Sequence, residues 1–92
     1  MYAVVLTLRA AKQLGKISAK DRTHILETMA GLRDDPWKGK KLQGELAGLF
    51  SLRVWPYRII YTIEKKIVRV TVVTIGQRKD VYERMVRAGK AR

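Results

Sequence analysis

Cysteine is absent from this chain of 92 residues, which excludes disulfides, thiol nucleophiles and cysteine-ligated metal. The single histidine, His24, offers too few ligands for a typical zinc site. Acidic residues are few and scattered, which argues against a paired-carboxylate or two-metal mechanism. No apolar run approaches the roughly 20 residues that span a bilayer, and the first eight residues lack the basic start of a signal peptide. We therefore expect a soluble, cytoplasmic protein with no metal and no cofactor.

Basic residues, in contrast, are abundant. Twenty lysines and arginines against eight acidic residues give a formal net charge of +12. Such a surface attracts nucleic acid, acidic protein or anionic lipid, and charge alone does not choose among them. A chain of this length supports only one hydrophobic core, so residues 1–92 are predicted to form a single domain.

The first half of the chain has the pattern of one strand followed by two helices. Tyr2 to Leu8 is apolar and β-branched, which predicts a strand. Arg9 to Gly15 predicts a short helix that ends at a glycine. A second helix is predicted from Ala19 to Arg33, and Ser18 with Asp21 resembles a capping pair at its start.

One face of the second predicted helix is apolar and should cover a sheet. Ile25, Met29 and Leu32 recur at helical spacing, and Leu26 and Ala30 are expected to widen this stripe. Residues 34–36 end the helix, because the residue before a proline is pushed out of the helical region. Residues 37–45 follow as a basic loop.

The second half of the chain predicts three consecutive strands. Leu49 to Trp55 alternates apolar and polar residues, and Arg58 to Ile63 and Ile67 to Ile75 are rich in β-branched residues. Tyr82 to Ala88 predicts a short C-terminal helix. The order β-α-α-β-β-β predicts an α+β fold: a small, mostly antiparallel sheet with two helices packed on one face.

Arginine, lysine and tyrosine are the chemical groups that this composition leaves. They are sufficient to cleave RNA without metal, because the nucleophile is the ribose 2′-hydroxyl of the substrate. Such a site needs a proton acceptor, a cation for the charge that grows on the phosphorus centre, and an acid for the leaving 5′-oxygen. Arginine suits the cationic role, since its planar fork of donors matches phosphate geometry.

Two segments carry a more specific signal. Pro56 to Tyr61 reads Pro-Tyr-Arg-Ile-Ile-Tyr, and Gly76 to Tyr82 reads Gly-Gln-Arg-Lys-Asp-Val-Tyr directly after an apolar run. With Lys41 to Gly44 and Leu52 to Val54, they resemble the signature of the RelE/ParE toxin superfamily of type II toxin–antitoxin modules. The resemblance covers nearly the whole chain. It implies a small antiparallel sheet with helices on one side, cleavage of messenger RNA in the ribosomal A site, and a cognate antitoxin as partner.

The same resemblance assigns roles to residues. Arg58 would stabilise the transition state, Arg78 would contact the scissile phosphate or assist the leaving group, and Tyr82 would stack on a base or help to transfer a proton. Arg53 matches a further basic position. Residues expected to contact the RNA backbone are Arg53, Lys38, Lys40, Lys41 and Lys79.

Departures from the RelE pattern leave the proton acceptor open. The best-known RelE members carry lysines on the strand occupied here by Leu49 and Ser51, and one of those lysines is tied to proton abstraction. Many relatives also have histidine where Gln77 stands, and glutamine cannot act as a base. The candidates are Tyr82 and a lysine from the loop 38–41.

The same residues are also compatible with other functions and with purely structural roles. A ParE-like toxin shares the fold but acts on DNA gyrase, and a plain nucleic-acid-binding module would use the basic surface without chemistry. Arg58 could pair with an acidic side chain, Tyr82 could pack on the sheet edge, and Arg78 with Lys79 could form a solvated cluster. Trp37 and Trp55 are expected to pack against the core or its rim.

Overall fold

A computed structural model describes residues 1–77, which form two helices and a five-stranded sheet. The predicted α+β class and the order of the main elements are confirmed. The elements are β1 Ala3–Leu6, α1 Leu8–Gly15, α2 Ala19–Gly31, β2 Lys40–Lys41, β3 Phe50–Val54, β4 Tyr57–Glu64 and β5 Arg69–Gln77. None of the helices in this part of the chain has the length and apolar character that crossing a membrane requires.

The strand order across the sheet is β1-β5-β4-β3-β2. The pairs β2–β3, β3–β4 and β4–β5 are antiparallel, whereas β1 runs parallel to β5. The sheet is therefore mostly antiparallel, as predicted, and the first strand pairs with the last described one. Parallel neighbours need a long crossover connection, and here the two helices and the other three strands lie between them in sequence.

The connection between α2 and β3 contains more structure than the predicted loop. A short 3₁₀ helix, Pro36–Lys38, precedes β2, and a second one, Gly44–Leu46, follows it. Strand β2 has only two residues, both lysines, so it carries no apolar alternation by which a sequence pattern could reveal it.

Polar side chains cap both helices. The Thr7 hydroxyl accepts a hydrogen bond from the Ala10 amide at 3.1 Å and donates one to the Val73 carbonyl at 2.8 Å, which joins the start of α1 to β5. The Ser18 hydroxyl accepts from the Asp21 amide at 3.4 Å and caps α2, as the sequence pattern predicted.

The core lies between the helices and one face of the sheet. Ile25, Met29 and Leu32 are buried, which confirms the predicted stripe. Leu26 and Ala30 do not widen it: Leu26 is 46% exposed and Ala30 is exposed. Successive helical residues are rotated by about 100°, so a residue directly after a core position already faces solvent. The sheet contributes Phe50, Ile59, Tyr61, Val70, Val72 and Ile75 to the same core.

The predicted C-terminal helix from Tyr82 to Ala88 lies outside the described residues. So do Arg78 and Lys79. The structure describes the strand that leads to them, which ends at Gln77 beside Tyr57 of β4.

Candidate nucleic-acid interface

The sheet has a second face, opposite the helices, that we call the far face. Phe50, Ile59 and Tyr61 belong to the core that also contains residues of both helices, and strand residues alternate between faces. The alternating partners of these core residues therefore lie on the far face. Among them are Ser51 and Arg53 of β3 and Arg58 and Ile60 of β4.

Arg53 and Arg58 are directly opposite each other on the far face. They pair across β3 and β4, and side chains in such a pair start from β-carbons about 5 Å apart. Arg53 is exposed and Arg58 is half-buried. Each guanidinium presents a planar fork of donors that matches the geometry of a phosphate. The pair is thus suited to hold a phosphate.

A glycine lies next to this arginine pair on the neighbouring strand. Gly76 of β5 is in register with Arg58, so one row across three strands reads Arg53, Arg58, Gly76. Because glycine has no side chain, Gly76 itself places no side-chain atoms beside Arg58 in this row.

Gln13 of α1 holds this end of β5 in place. Strand β1 stops at Leu6, opposite Val72, and within residues 1–77 no other strand pairs with this edge of β5 beyond that point. The Gln13 amide oxygen accepts hydrogen bonds from the Ile75 amide at 2.7 Å and the Thr74 hydroxyl at 3.0 Å. A glutamine at this position gives no sequence signal of such a role, because the contact joins residues about sixty positions apart.

The three lysines of the loop 38–41 are separated by the fold. Lys40 pairs with Ser51 and shares the far face with the two arginines, whereas Lys41 pairs with Phe50 and faces the helix side. The ammonium of Lys38 lies 3.4 Å from the point where a β-carbon on Gly31 would be, at the C-terminal end of α2. Lys40, Arg53 and Arg58 are therefore brought together, and Lys38 and Lys41 are not. The roles in RNA contact stay predictions for all five residues of the set Arg53, Lys38, Lys40, Lys41 and Lys79.

The backbone before Lys40 is fixed by a buried tyrosine. The Tyr61 hydroxyl accepts a hydrogen bond from the Gly39 amide at 2.9 Å and donates one to the Pro36 carbonyl at 2.8 Å. Burial raises the pKa of Tyr61, so the hydroxyl keeps its proton near neutral pH and can serve as that donor. The sequence reasoning missed this anchor.

The positions that depart from the RelE pattern have distinct surroundings. Ser51 is on the far face but buried, with 3% of its surface exposed. Leu49 is half-buried just before β3, and Gln77 is exposed at the end of β5. His24 is exposed on α2. Within residues 1–77, no group of three histidine, aspartate or glutamate side chains is placed to hold a metal ion.

The two tryptophans lie at the rim. Trp37 is 49% exposed and packs edge-on against Phe50 at 5.8 Å between ring centroids, with the Lys65 ammonium 5.2 Å from its ring centre. Trp55 is 65% exposed at the β3–β4 turn. The rim packing expected of Trp37 is confirmed by its contact with Phe50.

At the opposite end of the far face, Glu64 is held by two neighbours. Its carboxylate accepts from the Arg69 guanidinium at 3.1 Å and from the Thr71 hydroxyl at 2.7 Å. Both hydrogen bonds lower the pKa of Glu64 below its ordinary value of 4.5, and the one from Arg69 has the larger effect. The Glu64 carboxylate is thus bound by Arg69 and Thr71, six residues along β4 from Arg58.

A pH dependence of stability follows from Glu64. Because its folded pKa lies below the unfolded value, its contribution is complete above pH 4.5 and is lost as the pH falls through the folded pKa. We expect wild type to be more stable than Glu64→Gln near pH 7 and this difference to shrink as the pH falls below 4.5. Urea unfolding midpoints of both proteins between pH 3 and 7 test this, and a constant difference across the range would contradict it.

Comparison with known proteins identifies the class. A family model described as the ParE toxin of the type II toxin–antitoxin system parDE matches residues 4–82. The chain therefore belongs to the RelE/ParE superfamily of type II toxins.

Within this class, the chain is similar to RelE-type toxins. It is 34% identical over 85 residues to toxin RelG of Mycobacterium tuberculosis, covering 90% of this chain and 98% of the relative. It is also 34% identical over 83 residues to toxin RelE of the same organism, covering 88% of this chain and 86% of that one. The chain is thus a RelE-like toxin of a type II toxin–antitoxin system.

Solved structures support the fold. The toxin–antitoxin complex RelBE2 of Mycobacterium tuberculosis contains a chain that superposes with a TM-score of 0.79 at 32% identity, covering 84% of this chain and 98% of that one. The isolated E. coli RelE toxin superposes with a TM-score of 0.75 at 22% identity, covering 96% of this chain and 98% of that one, which supports the fold alone.

Proposed function

We propose that this toxin is a metal-independent endoribonuclease that cleaves messenger RNA in the ribosomal A site. The observation that carries the proposal is the Arg53–Arg58 pair on the far face, with Lys40 on the same face, in a chain 34% identical to RelE-type toxins. Three cations on one face suit phosphate chemistry that takes its nucleophile from the substrate.

In the proposed reaction, the ribose 2′-oxygen loses its proton and attacks the adjacent phosphorus. The bond to the 5′-oxygen of the next nucleotide breaks, which leaves a 2′,3′-cyclic phosphate and a 5′-hydroxyl after that oxygen is protonated. Arg58 would bind the phosphoryl oxygens while negative charge grows on them. Arg78 would contact the scissile phosphate or assist the leaving group, and Tyr82 would stack on a base or transfer a proton. The candidates for the proton acceptor are Tyr82 and a loop lysine, because the Gln77 amide cannot serve.

The ribosome and an antitoxin are the partners of this proposal. A domain this small offers little contact area for free RNA, so its affinity there should be mainly electrostatic, with the ribosome supplying orientation. The similar toxin in the RelBE2 structure is bound to an antitoxin, and we propose a cognate antitoxin here. Its contact surface should be acidic, to complement the net charge of +12.

Gyrase inhibition is the second candidate function. The matching family model is described as the ParE toxin of parDE, and Leu49, Ser51 and Gln77 depart from the RelE pattern. This alternative predicts inhibition of DNA supercoiling by gyrase at stoichiometric toxin, with messenger RNA left intact. The nuclease is favoured because Arg53 and Arg58 lie in one cross-strand pair, where two guanidinium groups can bind the same phosphate.

Primer extension on ribosomes programmed with a defined message tests the nuclease. We expect cuts within the A-site codon, and no comparable cleavage when the same message is supplied without ribosomes. Cleavage should persist when EDTA is added together with excess Mg²⁺, because EDTA then removes transition metals such as zinc while the ribosomes stay intact. Intact message together with inhibited supercoiling would show that the toxin inhibits gyrase instead. Intact message with normal supercoiling would indicate a nucleic-acid-binding module without either activity. Equally fast cleavage of free RNA would overturn the ribosome-dependent part.

A further inference from the structure

We infer that Lys40 is a positioning residue that holds the phosphate next to the one bound by Arg53 and Arg58. This inference rests on the proposed nuclease function and adds to it one RNA contact. The pairing of β2 with β3 carries it, because that pairing places Lys40 alone of the three loop lysines on the arginine face.

The register sets the separation between Lys40 and the arginines. Lys40 is opposite Ser51, and Ser51 is two residues before Arg53 on β3. Two residues along a strand and one strand across it correspond to about 8 Å between the α-carbons of Lys40 and Arg53. Neighbouring phosphates of an extended RNA strand are separated by a similar distance, which the flexible lysine stem can adjust.

The position of Lys40 is fixed from both sides. Its own strand pairing holds it against β3, and the preceding Gly39 is bound through its amide to the Tyr61 hydroxyl. A lysine on a mobile loop would lose more conformational entropy on binding, so this anchoring makes a phosphate contact more favourable.

The distribution of charge on the far face also favours binding of an anion at the end that carries Lys40 and the two arginines. Glu64 is the one acidic residue in the five strands of residues 1–77, and Arg69 and Thr71 already bind it. It lies six residues along β4 from Arg58, which corresponds to about 20 Å. No carboxylate of a described strand therefore lies beside Lys40 and Arg53.

Binding of an uncleavable RNA tests Lys40 without any need for catalysis. The probe is a short oligonucleotide with 2′-O-methyl riboses, and its affinity for the full-length toxin is measured by fluorescence anisotropy over a series of salt concentrations. Lys40→Ala should weaken binding about fivefold, the upper range for one exposed charge pair, and reduce the salt slope by about 0.7. Lys40→Arg should restore both, and Lys66→Ala, the same charge change on a turn beyond β4, should alter neither.

Cleavage on programmed ribosomes then separates positioning from chemistry. Lys40→Ala should raise the toxin concentration for half-maximal cleavage while the maximal rate and its pH profile stay unchanged. A large fall in the maximal rate with a shifted pH profile would make Lys40 the proton acceptor and overturn the positioning role. Equal losses of RNA affinity in Lys40→Ala and Lys41→Ala would also overturn it, since the two lysines face opposite sides.

Failure of the nuclease proposal is recognised separately. If wild-type toxin cuts no message, that proposal fails, and the binding series alone decides the role of Lys40. An affinity for the probe that is the same in wild type and Lys40→Ala would then reject the phosphate contact.

Discussion

Replacing Arg58 with alanine is expected to slow cleavage of ribosome-bound message by about 10²- to 10³-fold, the usual cost of removing one group that binds transition-state charge. Arg58 is half-buried, and charge–charge interactions are stronger away from bulk water. The loss should appear in the maximal single-turnover rate rather than in the half-saturating toxin concentration, because the charge that Arg58 binds grows only during reaction. The maximal rate of Arg58→Lys should lie between those of wild type and Arg58→Ala, because lysine keeps the charge but lacks the planar fork of donors.

Arg69→Ala is the matched control for Arg58→Ala. It removes the same charge from the same face, at the opposite end of the sheet, where Arg69 binds Glu64. We expect its cleavage rate to match wild type. Equal losses in both variants would mean that net charge, rather than the Arg53–Arg58 pair, supports the activity. Thermal unfolding of each variant shows whether a lost rate reflects lost folding.

Gly39→Ala is expected to lower the free energy of unfolding by about 1–3 kcal/mol, the usual cost of overpacking a filled space. A β-carbon at this position would collide with the Tyr61 hydroxyl and lie 3.0 Å from the Ser51 carbonyl oxygen. Its backbone is ordinary, with φ of −71°, so the cost comes from the close approach and not from the conformation. In a domain of this size, each kcal/mol lowers Tm by about 4–8 °C.

Tyr61→Phe gives the matching half of this test. It leaves the Gly39 amide and the Pro36 carbonyl without their side-chain partner, which should cost about 1–3 kcal/mol. In the double variant the hydroxyl that collides with the new methyl group is gone, so the two losses should sum to more than the double variant shows. If urea unfolding showed that the two losses of unfolding free energy simply add in the double variant, the contact between Gly39 and the Tyr61 hydroxyl would be contradicted.

Gly15→Ala is the control for a glycine substitution alone. Gly15 ends α1, and a β-carbon there would meet nothing within 4 Å. Alanine is favoured over glycine in helices by roughly 0.5–1 kcal/mol, so this variant should be no less stable than wild type. A loss similar to that of Gly39→Ala would show that the measured cost is not specific to the Tyr61 anchor.

Local patterns in the sequence determined most elements and part of the site. Helical spacing identified Ile25, Met29 and Leu32 as the buried stripe, and the Ser18 cap marked the start of α2, because both depend on residues within a few positions of one another. The sequence also predicts both arginines of the candidate site. Their direct opposition follows from the two-residue turn between β3 and β4, which fixes the register of that hairpin.

Only the tertiary structure decided the contacts between distant segments. The parallel pairing of β1 with β5, the Gln13 contact to Ile75 and the Tyr61 anchor of Gly39 join residues that share no sequence periodicity. The same holds for Lys40 and Lys41, which are chemically identical neighbours. Their opposite faces are set by pairing with β3, and that pairing depends on the packing of the whole sheet rather than on the residues of the loop.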